Sequence, residues 1–340
     1  LYTFGKLSAA LEAAEQGLRG ERARGDMARA ETVLETKRLY YGLQLAEQLG
    51  YLLKEMLDSM DEAIEKTQKR LDDGSRTLTE RDVLRLKIGR SRFAAGVEEV
   101  EASTRLTKSA LARTVGLDPG EAIEIADKRM AMAEVQLDSF DAYASSGPRR
   151  RPEWKRLVSG LEAQQARVEL QEASYYPTLF LATGVRYAYA GNRDDQKNPF
   201  VYDDFNFLEP IGVLGLHWDL NVFANRAKAA QERAAMEKLR AERRRAESGL
   251  RLEVERSYVA VERARATIES VRAGRKAARG LLVLTVANFD LGIGEGDELF
   301  EAYGAYTETS TDYFRAVHDY NVAVAELSRA VGEELLDLEY

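Results

Sequence analysis

The side chains that most often carry chemistry are scarce in this chain. There is no cysteine, which removes disulfides, thiolate metal sites and thiol nucleophiles. The two histidines, His217 and His318, stand far apart, and the sequence sets no acid or nucleophile against either, so zinc or triad chemistry has little material. Asp194-Asp195 and Asp203-Asp204 offer oxygen ligands for calcium, but not at the spacing of a calcium loop, and read as solvated loop acids. The glycine string "GIGEG" (Gly292–Gly296) follows a helical run rather than a strand, so it fails the context of a phosphate loop. Asp297, directly after it, fits the N-cap of a new helix, where a carboxylate meets unpaired N–H groups. No enzyme chemistry and no cofactor emerges.

Composition narrows the classes further. Among 340 residues the net charge is −8, which argues against nucleic-acid binding, because phosphate contacts want a basic field. No apolar run reaches the length of about 18 residues that a transmembrane helix needs, and no signal peptide is visible. Six prolines, with 49 basic against 57 acidic residues, favour long helices with mixed-sign surfaces.

The elements that would position the few special residues repeat. The first half opens at Phe4-Gly5 and runs helically to Gly74; the second opens at Phe223-Ala224 and runs helically to Gly292. Neither run contains proline, and each would extend about 100 Å at 1.5 Å per residue. Each ends in a glycine-containing break, "DDGSRTLTERDVL" (Asp72–Leu84) and "DLGIGEGDELF" (Asp290–Phe300), and a second helix follows. The second helices close on matching phrases, "ARTVG" (Ala112–Gly116) and "SRAVG" (Ser328–Gly332). Two helical hairpins in tandem, longer than any solenoid unit, imply a duplicated domain. Leu45, Leu49, Leu52 and Met56 form an apolar seam near the coiled-coil spacing; so do Val254, Tyr258, Val261, Ile268 and Val271, and Tyr313, Val317, Tyr320, Val324, Leu327 and Val331. Thr77 with Glu80 fits a capping box.

Between the hairpins the pattern changes. A short helical patch is expected near Val135–Tyr143, then a loop "SSGPRRRPEW", with Arg149–Arg151 solvated and Pro152 opening a helix that runs to about Tyr175. From Pro177 to Ala190, "PTLFLATGVRYAYA" alternates with period two, placing Leu179, Leu181, Val185, Tyr187 and Tyr189 on one face. After a polar loop to Pro210, "IGVLGLHWDLNVF" (Ile211–Phe223) places Leu214, Leu216, Trp218 and Leu220 on one face. Two strands of this length, apolar on one side and aromatic toward the ends, suit a tilted bilayer crossing. Alternation alone equally suits a soluble hairpin packed on the helices. One hairpin cannot cross lipid by itself, because its edges would stay unpaired. The opening "LYTFGK" reads as the tail of a first hairpin, placed where Leu220–Asn225 lies in the second half, so the N-terminal portion is expected to be missing.

At this point the chain resembles the TolC family of outer membrane efflux proteins. The residues that carry the resemblance are "RPEWKRLVSGLEAQQARVELQEASYYPTLFLATG" (Arg151–Gly184), "GLHWDLNVFANRAKAAQERAA" (Gly215–Ala235) and "ANFDLGIGEGDELFEAYGAYTETSTDYFRAVHDYNVAVAELSRAVG" (Ala287–Gly332). The resemblance implies a mainly α fold with a small β part. Long antiparallel coiled-coil helices would form a trimeric α-barrel in the periplasm, continuous with a 12-stranded β-barrel in the Gram-negative outer membrane. The implied layout is a strand end over 1–6, a first hairpin over 7–119, an equatorial region over 120–151, a helix leading to the barrel over 152–176, a barrel hairpin over 177–222, a second hairpin over 223–332 and a tail over 333–340.

The resemblance also implies a passive, non-enzymatic homotrimeric exit duct for small molecules or proteins. It would be coupled through a periplasmic adaptor (membrane fusion) protein to an inner-membrane transporter, and bathed by outer membrane lipid along Leu179, Leu181, Val185, Tyr187, Tyr189, Leu214, Leu216 and Trp218. Adaptor contacts would fall on the tips, Gly74, Ser75, Arg76, Thr77 and Leu78 in the first and Gly292, Ile293, Gly294, Glu295 and Gly296 in the second. Asp297 and Glu301 would narrow the pore. Here the sequence departs from the family pattern: the second acid expected three residues after Asp297 is Phe300, and the place matching Arg76 is Gly294. A soluble coiled-coil scaffold or adaptor would need the same helices, but not an aromatic-edged hairpin between them.

Overall fold

The computed structural model of the protein describes residues 2–75, 78–118, 120–127, 129–194, 196–294 and 296–336. It is mainly α-helical with one small sheet. The order is α1 (Lys6–Asp72), α2 (Glu80–Thr114), α3 (Phe140–Arg150), α4 (Pro152–Ala173), β1 (Thr178–Ala188), β2 (Phe207–His217), α5 (Val222–Asp290) and α6 (Gly296–Val331). The chain divides into two compact units, and α1 and α5 contribute to both.

The tandem repeat is written into the helix ends. Gly74, Gly116, Gly292 and Gly332 all have positive φ, between +68° and +85°. Each terminates one of the four hairpin helices in the same way. Gly74 N–H donates to the Leu71 carbonyl and Ser75 N–H to that of Arg70; Gly292 N–H donates to Phe289 and Ile293 N–H to Asn288. Gly116 with Leu117, and Gly332 with Glu333, repeat the pair of bonds after α2 and α6. Glycine enters this left-handed turn without the steric penalty that a Cβ would bring, and the bonds satisfy carbonyls that the helix end leaves open. The matching "TVG" and "AVG" phrases are therefore two copies of one stop signal.

The larger unit, 25–152 with 247–340, is held by the expected seams. Leu52, Met56, Val254, Val261, Ile268, Val317, Tyr320, Val324, Leu327 and Val331 are all buried in one core, with Leu45, Leu49, Tyr258, Val271 and Tyr313 packed at its margin. Burying so many apolar side chains stabilises the unit by roughly 1.5–3 kcal/mol each relative to exposure. Ion pairs decorate its surface: Lys54 with Glu101 at 2.7 Å and Lys108 with Glu47 at 2.9 Å tie α1 to α2. These exposed pairs add little beside the core.

Three local expectations need correction. The stretch expected to be a loop after Tyr143 is helical: α3 includes Ser145 to Arg150, and Val135 to Ser139 are not helical. Ser139 caps it, its side chain accepting the Ala142 N–H at 3.4 Å. Gly147 then lies so close to Val331 that a Cβ would meet the Val331 Cα at 3.1 Å, and that packing favours a helix over a solvated loop. Arg151 is not solvated either. It is 2% exposed, because it sits between α3 and α4 and pairs with Glu253 of α5 at 2.6 Å. Glu253 also pairs with Arg329 of α6 at 2.9 Å, and Arg329 with Glu31 of α1 at 3.0 Å. Finally, Arg76 and Thr77 lie outside the described residues, and the capping box is one turn-start later. Thr79 N–H donates to Asp82 Oδ2 at 2.8 Å, and α2 begins at Glu80.

The smaller unit, 1–24 with 153–246, holds the sheet. Small residues of its helices are buried, among them Ala9, Ala23, Ser159, Ala163, Ala166 and Ala229. Gln164 of α4 donates to Glu232 of α5 at 2.6 Å, and Arg233 pairs with Glu172 at 2.6 Å. Lys6 Nζ donates to the Tyr176 carbonyl at 2.7 Å and to Thr178 Oγ1 at 3.0 Å, fixing the start of α1 beside the start of β1.

Candidate functional site

Two places gather the residues singled out by sequence: one face of the sheet, and the tips of the hairpins. The strands are antiparallel, with Leu179 opposite Leu216, Leu181 opposite Leu214, Val185 opposite Pro210 and Tyr187 opposite Leu208. Residues that alternate along each strand thus merge into one apolar face. That face is exposed: Leu181 is 52% and Leu214 72% accessible. Tyr189 and Trp218 lie just beyond the strand ends, and Trp218 Nε1 donates to the Tyr175 carbonyl at 3.0 Å. An aromatic ring with a polar tip satisfied at the strand end suits a membrane interface.

The opposite face has a different chemistry. Arg186 and Glu209 face each other across the strands and pair at 2.5 Å. Phe180 lies over Gly215, where a Cβ would clash with its ring. One face of the sheet is therefore apolar but for Thr183, opposite Gly212, while the other carries a charged pair.

The second strand begins earlier than its hydrophobic pattern indicates. Phe207 to Pro210, expected in the loop, belong to β2. The reason lies at the edge. Tyr2 exchanges two backbone hydrogen bonds with Leu179, at 3.1 and 2.9 Å, on the side of β1 away from β2. By the antiparallel alternation Val185 faces the same way, and Pro210 opposite it directs its missing N–H to the open edge of β2. A proline that would break a central strand is tolerated there. Leu208 and Pro210 extend the apolar face beyond the residues named from sequence.

At the tips, Gly74, Ser75 and Leu78 follow α1, while Gly292, Ile293 and Gly294 follow α5; Glu295 is outside the described residues. Leu78 is buried and Ile293 exposed. The two turns are bound together by Arg70 of α1, whose guanidinium donates to the Phe289 and Asp290 carbonyls and lies 5.1 Å from the Phe289 ring centre. A cation on the last carbonyls of α5 complements its helix dipole. Lys66 pairs with Asp290 at 3.1 Å beside it.

Asp297 does not cap α6. The helix already starts at Gly296, so Asp297 lies within its first turn, and its Oδ2 pairs with Arg85 of α2. Its Oδ1 is buried without a hydrogen-bond partner. Gly296 approaches α2 so closely that a Cβ would meet that of Asp82 at 2.6 Å, which brings the first turn of α6 against Arg85. Phe300, standing where a second acid was expected, packs on Gly89 of α2, and Arg92 lies 5.9 Å from its ring centre. Glu301 is exposed. The structure thus brings Asp297 to a cation and leaves Glu301 in solvent. Arg85 had no signal in the sequence beyond its place on α2. Among the described residues there is no group of acids or histidines that could hold a metal ion, and no helix long and apolar enough to cross a membrane.

The outer membrane efflux protein family matches residues 149–333. No curated protein matches. Among solved structures, the outer membrane protein VceC from Vibrio cholerae superposes with a TM-score of 0.78 at 17% identity, covering 98% of this chain and 77% of that one. The open-state MtrE outer membrane channel of Neisseria gonorrhoeae gives 0.79 at 16% identity, covering 98% and 73%. A membrane protein from Pseudomonas aeruginosa gives 0.77 at 18% identity, covering 98% and 73%. At such identities these likenesses speak to the fold. The family match spans more than half of the chain, and by it the chain belongs to the outer membrane efflux protein family, a family of outer membrane channels rather than enzymes.

Proposed function

We propose that the protein is a passive homotrimeric exit duct of the outer membrane. It extends into the periplasm and is coupled through an adaptor protein to an inner-membrane transporter. The observation that carries this reading is the sheet with one exposed apolar face and a charged pair on the other. A closed barrel needs lipid outside and water inside, and β1 and β2 supply one face for each. In a closed barrel every backbone group finds a partner, which a lone hairpin in lipid cannot achieve. The proline-free hairpins form the periplasmic wall, and their tips are the adaptor contacts. Asp297 and Glu301 line the narrowing at the second tip, with the Asp297–Arg85 pair holding it closed. The test is electron microscopy of the full-length protein extracted from membranes in detergent. Three-fold tubes well over 100 Å long agree with about 67 residues of helix at 1.5 Å per residue. Compact or rod-like particles that stay soluble without detergent overturn the reading.

A further inference from the structure

The stretch between α2 and α3 is neither helix nor strand, yet it is held in place along its length. Gln44 donates to the Asp127 carbonyl at 3.1 Å. Asn321 of α6 accepts the Ala133 N–H and donates to the Ala131 carbonyl, both at 2.9 Å. Asp138 N–H donates to the Tyr143 hydroxyl at 3.1 Å. From Glu134 to Asp138 exposed and half-buried residues alternate, the period of an extended chain. Residues 122–127 and 129–138 make no backbone-to-backbone hydrogen bond with other described residues. Over 132–136 this is an extended segment pinned by side chains; apart from the Ala133 N–H, which Asn321 takes, its ladder groups have no backbone partner among the described residues, and such an edge is a template for another strand.

Beside it lies a groove of about 910 Å³, lined by Met132, Val135 and Gln136 of the segment and by Arg265, Arg272 and Tyr320 of the hairpins. Arg265 and Arg272 are exposed and make no ion pair with another described residue. Of the two acids at the groove, Glu334 is already engaged by Lys37 at 2.5 Å, which leaves Glu134 against two arginines. The groove therefore combines an extended backbone edge, a mostly polar lining and an excess of positive charge.

The same chain holds a segment of the complementary kind. In "GEAIEIAD" (Gly120–Asp127), Ile123 and Ile125 pack on Leu43 and Leu111, while Glu121 and Glu124 are exposed. We propose that in the assembled protein this acidic segment of one copy pairs along residues 132–136 of the next copy, with its glutamates toward Arg265 and Arg272. The contact joins two different surfaces, head to tail, as a closed ring of identical copies requires. It rests on the homotrimeric reading and deepens it by naming a joint between neighbours.

The absence of cysteine makes the test clean. Full-length protein in detergent would carry Gln136→Cys together with Glu121→Cys or Glu124→Cys, all at exposed positions, and would be oxidised mildly. Oligomeric state is read separately by light scattering. The expected result is trimeric particles that give bands at twice and three times the monomer mass without reductant, and a single monomer band with it. Trimers that yield no intermolecular cross-link with either pair overturn the proposed joint while leaving the duct reading intact. Monomers by light scattering overturn both. A second arm uses charge: Arg265→Glu with Arg272→Glu should weaken the trimer to dissociation by SDS, and Glu121→Arg with Glu124→Arg in the same chain should restore it. Unchanged resistance of the Arg265→Glu, Arg272→Glu protein speaks against the joint.

Discussion

Arg85 and Asp297 form an ion pair between α2 and α6, joining the return helix of one hairpin to the first turn of the other. The pair is only partly shielded, with 41% and 28% of the two side chains accessible. It sits beside the tight approach of Gly296 to Asp82, so separating the hairpins at this end breaks the pair. If the pair holds the narrowing closed, Asp297→Ala and Arg85→Ala in the full-length protein both raise single-channel conductance in planar bilayers. Unchanged conductance in both, with normal assembly, reduces the pair to a tie between helix ends.

The apolar face of the sheet predicts a side-specific cost. Leu181→Arg, on the exposed apolar face, should cost about 2–4 kcal/mol if it meets the bilayer midplane. Ala182→Arg, one residue away on the face of Arg186 and Glu209, should be tolerated. Urea unfolding of the lipid-reconstituted protein measures both. Equal costs at the two positions sink the lipid-facing assignment.

Burial separates two neighbouring arginines. Arg151 is almost fully buried against Glu253, whereas Arg150 and its partner Glu333 are each about half exposed. Arg151→Ala removes a buried side chain and one of the two cations on Glu253, which keeps Arg329, and should destabilise by about 1–3 kcal/mol, mostly through lost packing. Arg150→Ala should cost at most about 1 kcal/mol. Chemical denaturation of the two variants orders them, and a reversed order contradicts the buried pair.

Tyr40 gives a pH prediction. Burial, helped by its hydrogen bond to Asp127 at 3.0 Å, pushes its hydroxyl up to about 12 from an ordinary 10. A raised pKa means that the folded state keeps the proton longer than the unfolded chain. Its contribution is therefore complete below pH 10 and is lost as pH rises from 10 toward 12. Tyr40→Phe should flatten this part of the alkaline loss of stability, read as the urea midpoint between pH 9 and 12. An identical slope in both proteins rejects the assignment.

Much of the fold was legible because a few strong signals repeat. Glycine after a long proline-free run, followed by a second apolar seam, specifies a helical hairpin, and the chain says so twice. The sheet was legible through alternation, which sets Leu181 and Leu214 each on the apolar face of its own strand; the register that makes them one face is a tertiary fact. What escaped were features decided by partners distant in sequence. Nothing near Arg151 marks it as buried, since its environment is made by Glu253 on another helix. Pro210 reads as the end of the loop, because the outward direction of its missing N–H follows from the register that sets it opposite Val185. Asp297 looked like a cap because the close approach of Gly296 to α2 is a tertiary fact. Thr79 displaced Thr77 in the capping box because Asp82, not Glu80, stands at the third helical position.

The pairing of Tyr2 with Leu179 makes the two edges of the hairpin unlike. At Leu179 the outer side of β1 is engaged from within the chain, while the outer side of β2 has no such occupant among the described residues. The open edge carries Pro210, so any strand laid along β2 meets a ladder one donor short opposite Val185.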